Sequence, residues 1–448
     1  MFHFLLYIQP IWYYRLSDKS SALLLADYAR LDSQAKALLT WDSAYSDERA
    51  RVMDAAYQGL QRGLIPDAGN ALPASGCREI SDIGDNYRFV RKYFGTHWYV
   101  YVFLLRLLSL HNPFREIRSF LKNLRTRRMD MTLGFNQGDI LNGVDSPLLR
   151  SQPLVSAIIP TLDRYDYLQA VLADLEKQDY QNFEVIVCDQ SDPFQSAFYE
   201  NWKLDLRVIE QSEKALWLAR NTCIRQARGS FIALTEDDVR LPADWLTNHL
   251  KCLDHFSADA SCGIFFPEGA APSPAQRVFR LSDIFATGNT LIRKQVFYTT
   301  GLFDRQFEGQ RMGDGEFGLR CLLNGFRLVL NPLAYCLDIK APTGGLRQMG
   351  SWDSWRPTRF FAPRPVPSVL YFIRKYYGNA AAVYYLLPNV MASYVPYAWK
   401  RHRMKKRLAF VLIFILFPFM IASVMQSWRL ASEKLRTGEK IDRINEKS

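Results

Sequence analysis

A chain of 448 residues is longer than one compact core usually holds, so two or three units are expected. With 48% hydrophobic and 23% charged residues, and only 24 Gly and 21 Pro, the composition excludes collagen, low-complexity disorder and a polytopic transporter. A net charge of +11 admits nucleic acid, anionic lipid or a phosphorylated small molecule as partner, and seven scattered cysteines without a CxxC pair fit a reducing compartment better than a disulfide framework or a zinc site.

In chain order, Met1 opens an apolar stretch, FHFLLYI, with no basic residues before it and no small-residue cleavage site, so no secretory signal is expected. Helical patterns follow at Ser20–Leu39 and Ser46–Leu64, and residues 1–85 form a helical region of unassigned role. The stretch His97–Leu110 is apolar but too short to span a bilayer, and the basic segment Arg115–Arg128 succeeds it. This region has a counterpart near the other end of the chain. Phe89-Val-Arg-Lys-Tyr-Phe-Gly95 and Phe372-Ile-Arg-Lys-Tyr-Tyr-Gly378 share one pattern, and at the same offset Val100-Tyr101 matches Val383-Tyr384, Arg118 matches Arg401 and Lys122 matches Lys405. Both copies have the build of amphipathic surface helices, with aromatics for a lipid interface and Lys/Arg for phosphates. Residues 86–150 are therefore set apart as a basic helical segment that resembles the tail, expected to be a second copy of it, with two independent amphipathic helices of similar composition as the alternative.

From Leu154 to about Pro332 the texture changes. Val155–Thr161, Phe183–Asp189, Leu206–Glu210 and Phe231–Leu234 read as strands, separated by helical faces at Leu168–Leu175 and Leu216–Ala227. Strands alternating with helices of this length mean βαβ units and a mostly parallel, Rossmann-like sheet, whose ligands bind beyond the carboxyl ends of the strands. Those ends carry Thr161-Leu-Asp163-Arg164, Asp189-Gln-Ser191 and Thr235-Glu-Asp-Asp238. No GxGxxG or Walker motif is present. Three successive carboxylates at the mouth of such a sheet suit a hard divalent cation, while on a solvated loop they would be merely tolerated.

After the sheet, six of the eight residues Lys400–Arg407 are Lys or Arg, and Leu408–Trp428 then contains no charge. Pro418 sits in the middle, and basic residues flank both sides, so the run is marginal for a span. An interfacial pair of half-helices on anionic lipid fits better; a span and a buried core helix remain the alternatives. The basic residues cluster beside apolar helices and not on an aromatic-studded sheet face, so no nucleic-acid partner is expected.

Eight segments occur in a familiar order: VSAIIPTLDR at 155–164, FEVIVCDQS at 183–191, LARN at 218–221, GSFIALTEDDVRLPADWL at 229–246, TGNTLIRKQVF at 287–297, GLFD at 301–304, GDGEFGLR at 313–320 and GFRLVLNP at 325–332. Together they resemble bacterial, membrane-associated, inverting family 2 glycosyltransferases of the GT-A fold. The resemblance implies an α/β GT-A domain over residues 151–348 and a helical membrane-associating region over 349–448. It also implies a nucleotide-sugar donor (UDP-, dTDP- or GDP-linked), Mn2+ or Mg2+, a lipid-linked saccharide acceptor and a place on the cytoplasmic face of the inner membrane.

Carried over by position, Thr161, Asp163 and Asp189 would line the nucleoside pocket, with Asn221, Gly288 and Asn289 on the donor side. Glu236, Asp237 and Asp238 stand at the family's DxD, Asp238 as the metal ligand. Asp314 would be the base, with Glu316 as its one substitute, because the family's leading glutamate is replaced by Gly313. Asp338 stands where a histidine often completes the metal shell, and Gly344, Gly345 and Arg347 suit a closing loop over the diphosphate. These departures leave a second reading open, a catalytically silent scaffold of the same fold.

The chemistry needs these residue types. Breaking an anomeric C–O bond builds negative charge on the leaving diphosphate, which a metal ion neutralises. The acceptor hydroxyl needs a carboxylate to take its proton, and one base on the face opposite the leaving group gives inversion.

Overall fold

The computed structural model describes residues 2–8, 14–16, 25–72, 79–131, 140–282, 284–346, 353–355, 357, 359, 361–395, 399 and 403–445, with the backbone alone at Ala68 and over 403–414. It divides into two compact units. The first comprises Met1–Gln152, Asp244–Ile292 and Gly318–Leu337; the second comprises Pro153–Ala243, Arg293–Phe317 and Asp338–Ser448.

The chain opens with short turns and then helices α1 (Ser33–Ala37), α2 (Glu48–Arg62), α3 (Ile83–Tyr93), α4 (Thr96–Leu108), α5 (Pro113–Asn123) and α6 (Pro147–Ser151). The helix expected over Ser20–Leu39 is cut down: of its described residues, Ala26 pairs with Ala71 as an isolated bridge, and only Ser33–Ala37 is α-helical. The cause is two aspartates in quick succession. Asp27 accepts the amide of Ala29 and Asp32 accepts that of Ala35, so each starts a new turn instead of continuing one helix.

The second unit then contributes β1 (Val155–Thr161), α7 (Tyr165–Leu175), β2 (Phe183–Asp189), β3 (Leu206–Glu210), α8 (Leu216–Gln226), β4 (Phe231–Thr235) and the short β5 (Val239–Arg240). The four strands anticipated from periodicity stand where expected. They pair in parallel, in the order β3-β2-β1-β4. All seven residues of β1 are buried, as a parallel strand covered on both faces requires. Register brings Thr161 level with Asp189, so the carboxyl ends of β1 and β2 open together.

The first unit resumes with α9 (Trp245–His255), β6 (Ala260–Pro267), β7 (Arg280–Leu281) and β8 (Asn289–Arg293). These strands add an antiparallel part to the parallel sheet. β6 pairs with β8 antiparallel, and β7 pairs with β9 (Leu328–Asp338) antiparallel. No crossover helix separates β6 from β8, and without one a strand returns in the opposite direction. Between β8 and β9 lie α10 (Gln295–Thr300) and α11 (Gly313–Leu323); after β9 come α12 (Pro367–Tyr394) and α13 (Arg403–Thr437). α13 runs through Pro418 as one helix, not as two halves. Among the described residues, no helix is long and apolar enough to cross a membrane.

A polar node sits in the core of the first unit. Asn289 accepts from Trp245 Nε1 at 2.8 Å and bonds His249 Nε2 at 3.0 Å, while its own amide donates to the carbonyls of Ile264 and Ala334. His249 Nδ1 meets Ser261 Oγ at 2.8 Å. Burial drives the His249 pKa down to about 4, against the upward pull of its partners. Between pH 4 and the ordinary value of 6.5 the unfolded chain therefore binds a proton that the folded chain refuses. Stability should fall as pH drops through that window, by on the order of 3 kcal/mol for this group. Urea titrations from pH 7 to pH 4.5 should show the fall, and His249→Gln should flatten it.

Candidate active site

The loops beyond β1, β2 and β4 converge on buried carboxylates. Thr161 donates its hydroxyl to Asp237 Oδ2 at 2.8 Å. Arg164, just past the left-handed turn at Asp163, sets its Nη1 at 3.0 Å from both Asp237 Oδ1 and Asp238 Oδ2. Both aspartates are nearly inaccessible, at 5% and 1% exposure. Burial pushes the Asp237 pKa up to about 6; Arg164 opposes the rise and the charge of Asp238 adds to it. Burial also works against the charge of Arg164, but the two carboxylates outweigh it and raise its pKa.

The loop at 342–346 closes over this pair. Gly345 donates its amide to the Leu162 carbonyl at 2.8 Å, and Thr343 offers its carbonyl to Arg164 Nε at 3.2 Å. Gly344 and Gly345 both have φ near +70°, and a Cβ on Gly345 would stand 2.3 Å from the guanidinium carbon. Here glycine is required twice, for the backbone conformation and for the close approach. Arg347, expected to complete this loop, lies outside the described residues.

Asp238 has one oxygen to spare. Its Oδ2 pairs with Arg164 and accepts the Ala341 amide at 3.3 Å, but Oδ1 is buried without a hydrogen-bond partner. The Ile339 amide donates to the Asp238 carbonyl at 3.2 Å and so holds Asp338 nearby in the chain. Asp338 is half-buried, with Oδ1 on the Lys340 amide. An orphaned anionic oxygen suits a hard divalent cation, so these residues fit the expected metal with Asp238 as ligand and Asp338 as a second carboxylate. Among the described residues no group of three or more His, Cys, Asp or Glu side chains is assembled, which leaves the other positions to non-protein oxygens.

A second charged cluster forms around Arg220 on α8, a residue that sequence reasoning passed over for its neighbour Asn221. Arg220 is 1% exposed, rests on the Trp217 ring, and lies 3.6 Å from Glu236. Its Nε and Nη2 have no hydrogen-bond partner. Burial lowers its pKa, and the nearby charges of Glu236, Asp314 and Glu308 counter that. Asp314, half-buried near the start of α11, accepts only the Gly315 amide among the described residues, at 2.8 Å. Gly313 is accounted for by the same ring: a Cβ there would stand 2.4 Å from Trp217, so a glutamate cannot be seated. Trp217 is itself fixed, with Nε1 on the Phe307 carbonyl and its amide on Glu308, which caps the start of α8.

The remaining expected residues are occupied elsewhere. Asp189 is wholly buried and accepts from Tyr165 and Tyr199, both at 2.7 Å, and from the Ser191 amide. Asp163 is exposed; its amide donates to Ser191 Oγ, and it receives the Asp192 amide. Asn221 exchanges two hydrogen bonds of 2.9 Å with the backbone of Phe303, so it anchors the GLFD segment. Asn289 is saturated in the core of the first unit, and the buried Gly288 leads into the same strand.

Glu316 is no free base either. It is fully buried, with Oε1 held by Lys375 Nζ at 3.0 Å and by the Tyr376 hydroxyl at 2.5 Å. Glu316→Gln should lower the melting temperature by several degrees, since it breaks a buried carboxylate's pairing with the half-buried Lys375. The activity of the folded fraction should persist. Differential scanning calorimetry beside an activity assay checks both.

Residues 156–312 match the sequence family described as Glycosyl transferase family 2. Over 103 residues the chain is 32% identical to UDP-Glc:alpha-D-GlcNAc-diphosphoundecaprenol beta-1,3-glucosyltransferase WfgD of Escherichia coli, covering 22% of this chain and 38% of that protein. Over 200 residues it is 27% identical to the poly(ribitol-phosphate) beta-N-acetylglucosaminyltransferase TarS of Staphylococcus aureus, covering 40% of this chain and 34% of that protein. The matched stretch thus spans well under half the length of either relative. Among solved structures, mannosyltransferase PcManGT of Pyrobaculum calidifontis, in complex with GDP-Man and Mn2+, aligns with a TM-score of 0.43 at 17% identity, over 66% of this chain and 92% of that one.

Proposed function

Residues 156–312 are a family 2 glycosyltransferase domain, and from that premise we propose that the chain transfers a sugar, with inversion, from a nucleotide-sugar donor to a hydroxyl of a lipid-linked saccharide. The observation that carries the reading is a pairing of opposites in one unit. A buried carboxylate with an unused oxygen, Asp238, lies at the mouth of the sheet, and a second cluster holds the lightly engaged carboxylate Asp314 beside a buried, under-bonded cation, Arg220.

Each residue then has a task. Asp238, with Asp338, would hold Mn2+ or Mg2+, which when bound neutralises charge on the departing diphosphate. Arg220, whose Nε and Nη2 lack hydrogen-bond partners, would stabilise the same charge. Asp314 takes the proton of the acceptor hydroxyl as the new bond forms. Arg164, at 3.0 Å from both Asp237 and Asp238, offsets the repulsion between the two carboxylates.

A lipid-linked acceptor accords with the E. coli relative, whose name gives it a diphosphoundecaprenol acceptor. Such an acceptor and a nucleotide sugar meet at the cytoplasmic face of the inner membrane, and we place the chain there. The rival scaffold reading draws on Gly313, where Trp217 displaces the family glutamate.

Thermal-shift screening of UDP-, dTDP- and GDP-sugars with Mn2+ tests the proposal. One nucleotide class should raise the melting temperature, and chelator should erase the rise. Arg220→Met should weaken that donor's Kd by about 10–100-fold, the worth of one or two charge-assisted hydrogen bonds. Arg220→Lys should recover part of it. If no nucleotide sugar shifts the transition, with or without Mn2+, the scaffold reading replaces this one.

A further inference from the structure

The repeat seen in the sequence reaches into the hydrogen bonds. In the first unit, Lys92 Nζ lies 2.5 Å from Asp54 Oδ2, and the Tyr93 hydroxyl donates to Asp54 Oδ1 at 2.7 Å. In the second unit, Lys375 and Tyr376, each 283 residues further on, hold Glu316 in the same way. Arg88 donates to Asp42 at 2.8 Å, and Tyr371, again 283 residues on, donates to Asp304 at 3.1 Å. The two acids on each side keep an offset of their own: Asp304 and Glu316 lie 262 residues after Asp42 and Asp54. A ring completes each copy at that offset, with Tyr45 beside Arg88 and Phe307 beside Tyr371.

The backbone agrees. Nine residues after Asp54, α2 stops at Gly63 with φ +90°; nine after Glu316, Gly325 follows α11 with φ +88°. Gly95 separates α3 from α4, and Gly378 breaks α12 at the equivalent place. What the first copy lacks is the chemistry. Val52 stands at the position of Asp314, and no parallel sheet precedes it among the described residues.

What it keeps is an exposed stripe. Val100, Leu104 and Leu108 on α4 are 38%, 51% and 80% exposed, and their counterparts Val383, Leu387 and Met391 are 45%, 45% and 46% exposed. Spaced four apart, each set lies along one helix face. α5, which packs with α4 through stacked Tyr99 and Phe120, adds exposed Phe114, Ile117 and Leu121. Arg115, Arg118 and Lys122 are exposed on the same helix, and none has an acidic partner among the described residues. From Thr96 to Arg128 the single acid is Glu116, which is buried on Arg106.

We propose that residues 38–128 are a duplicate of the module that carries Asp304, Glu316, Tyr371 and Lys375, without a counterpart of Asp314, and that the α4–α5 hairpin docks on an anionic lipid surface. Apolar side chains bordered by unpaired cations complement lipid headgroups. Self-association through this face would instead bring the cations of one copy against those of the other. The inference takes from the preceding section only the membrane location of the acceptor, and its test does not require transfer.

The test is flotation of the full chain with phosphatidylcholine vesicles containing about a third phosphatidylglycerol, against phosphatidylcholine alone. The wild type should float only with the anionic vesicles, and salt should weaken it. The triple variant R115E/R118E/K122E should lower the partition coefficient by about 10–100-fold, and L104S/L108S by about 10-fold. Neither should alter the melting temperature or the binding of a nucleotide sugar. Unchanged partition of the triple variant overturns the proposal, as does equal wild-type binding to neutral vesicles. If the variant changes sedimentation mass but not flotation, the face is a contact between copies and the lipid assignment is wrong. If the wild type floats as described but binds no nucleotide sugar, the transferase reading fails and the docking face stands.

Discussion

Asp314→Asn should lower kcat by about 10²–10⁴-fold, the usual worth of a positioned general base. The amide keeps the shape and still accepts the Gly315 N–H, so the start of α11 should be undisturbed. Donor affinity should stay within about threefold, because Asp314 is proposed to serve the acceptor and contributes only one of the three carboxylate charges near Arg220. A loss confined to kcat identifies a group acting in the transition state; a parallel loss of donor binding would mean that Asp314 only tunes Arg220. Stopped assays of nucleoside diphosphate release, with donor Kd from calorimetry on the same samples, separate the two.

The second large effect belongs to Asp238. Asp238→Asn replaces the orphaned anionic oxygen with a neutral amide, a poor ligand for a hard cation. Turnover should fall below detection, and Mn2+ should no longer tighten nucleotide binding. The same change removes one of the two partners of Arg164, although Asp237 remains at 3.0 Å, so the fold should survive. Calorimetric titration of the nucleotide with and without chelator reads the effect. Donor affinity indifferent both to chelator and to Asp238→Asn would remove the cation from the account.

Some of this was legible in the residues alone, for identifiable reasons. β1 to β4 were evident because buried parallel strands are continuous apolar runs bounded by turns, and Val155–Thr161 and Phe183–Asp189 are such runs. β6 and β8 were not read as strands, since ASCGIFFP and NTLIR are short and mixed, and their antiparallel pairing depends on partners distant in sequence. At the site, sequence position nominated Asp238 and Asp314 together with Asn221 and Glu316, but it could not tell an engaged side chain from an idle one. Asn221 and Arg220 are adjacent in LARN; one turns to the Phe303 backbone and the other to the charged cluster. Glu316 looked like a spare base until Lys375 and Tyr376 were found on it, and those two residues were already visible as half of a repeat.

The most direct test of the central claim compares Asp314→Asn with Glu316→Gln in single-turnover sugar transfer, each at saturating nucleotide sugar and Mn2+ and normalised to folded protein. The account predicts a rate loss of at least about 10²-fold for Asp314→Asn and a loss of no more than about threefold for Glu316→Gln, despite the latter's lower melting temperature. A dead Glu316→Gln beside a fully active Asp314→Asn would contradict it and move the base two residues along the chain.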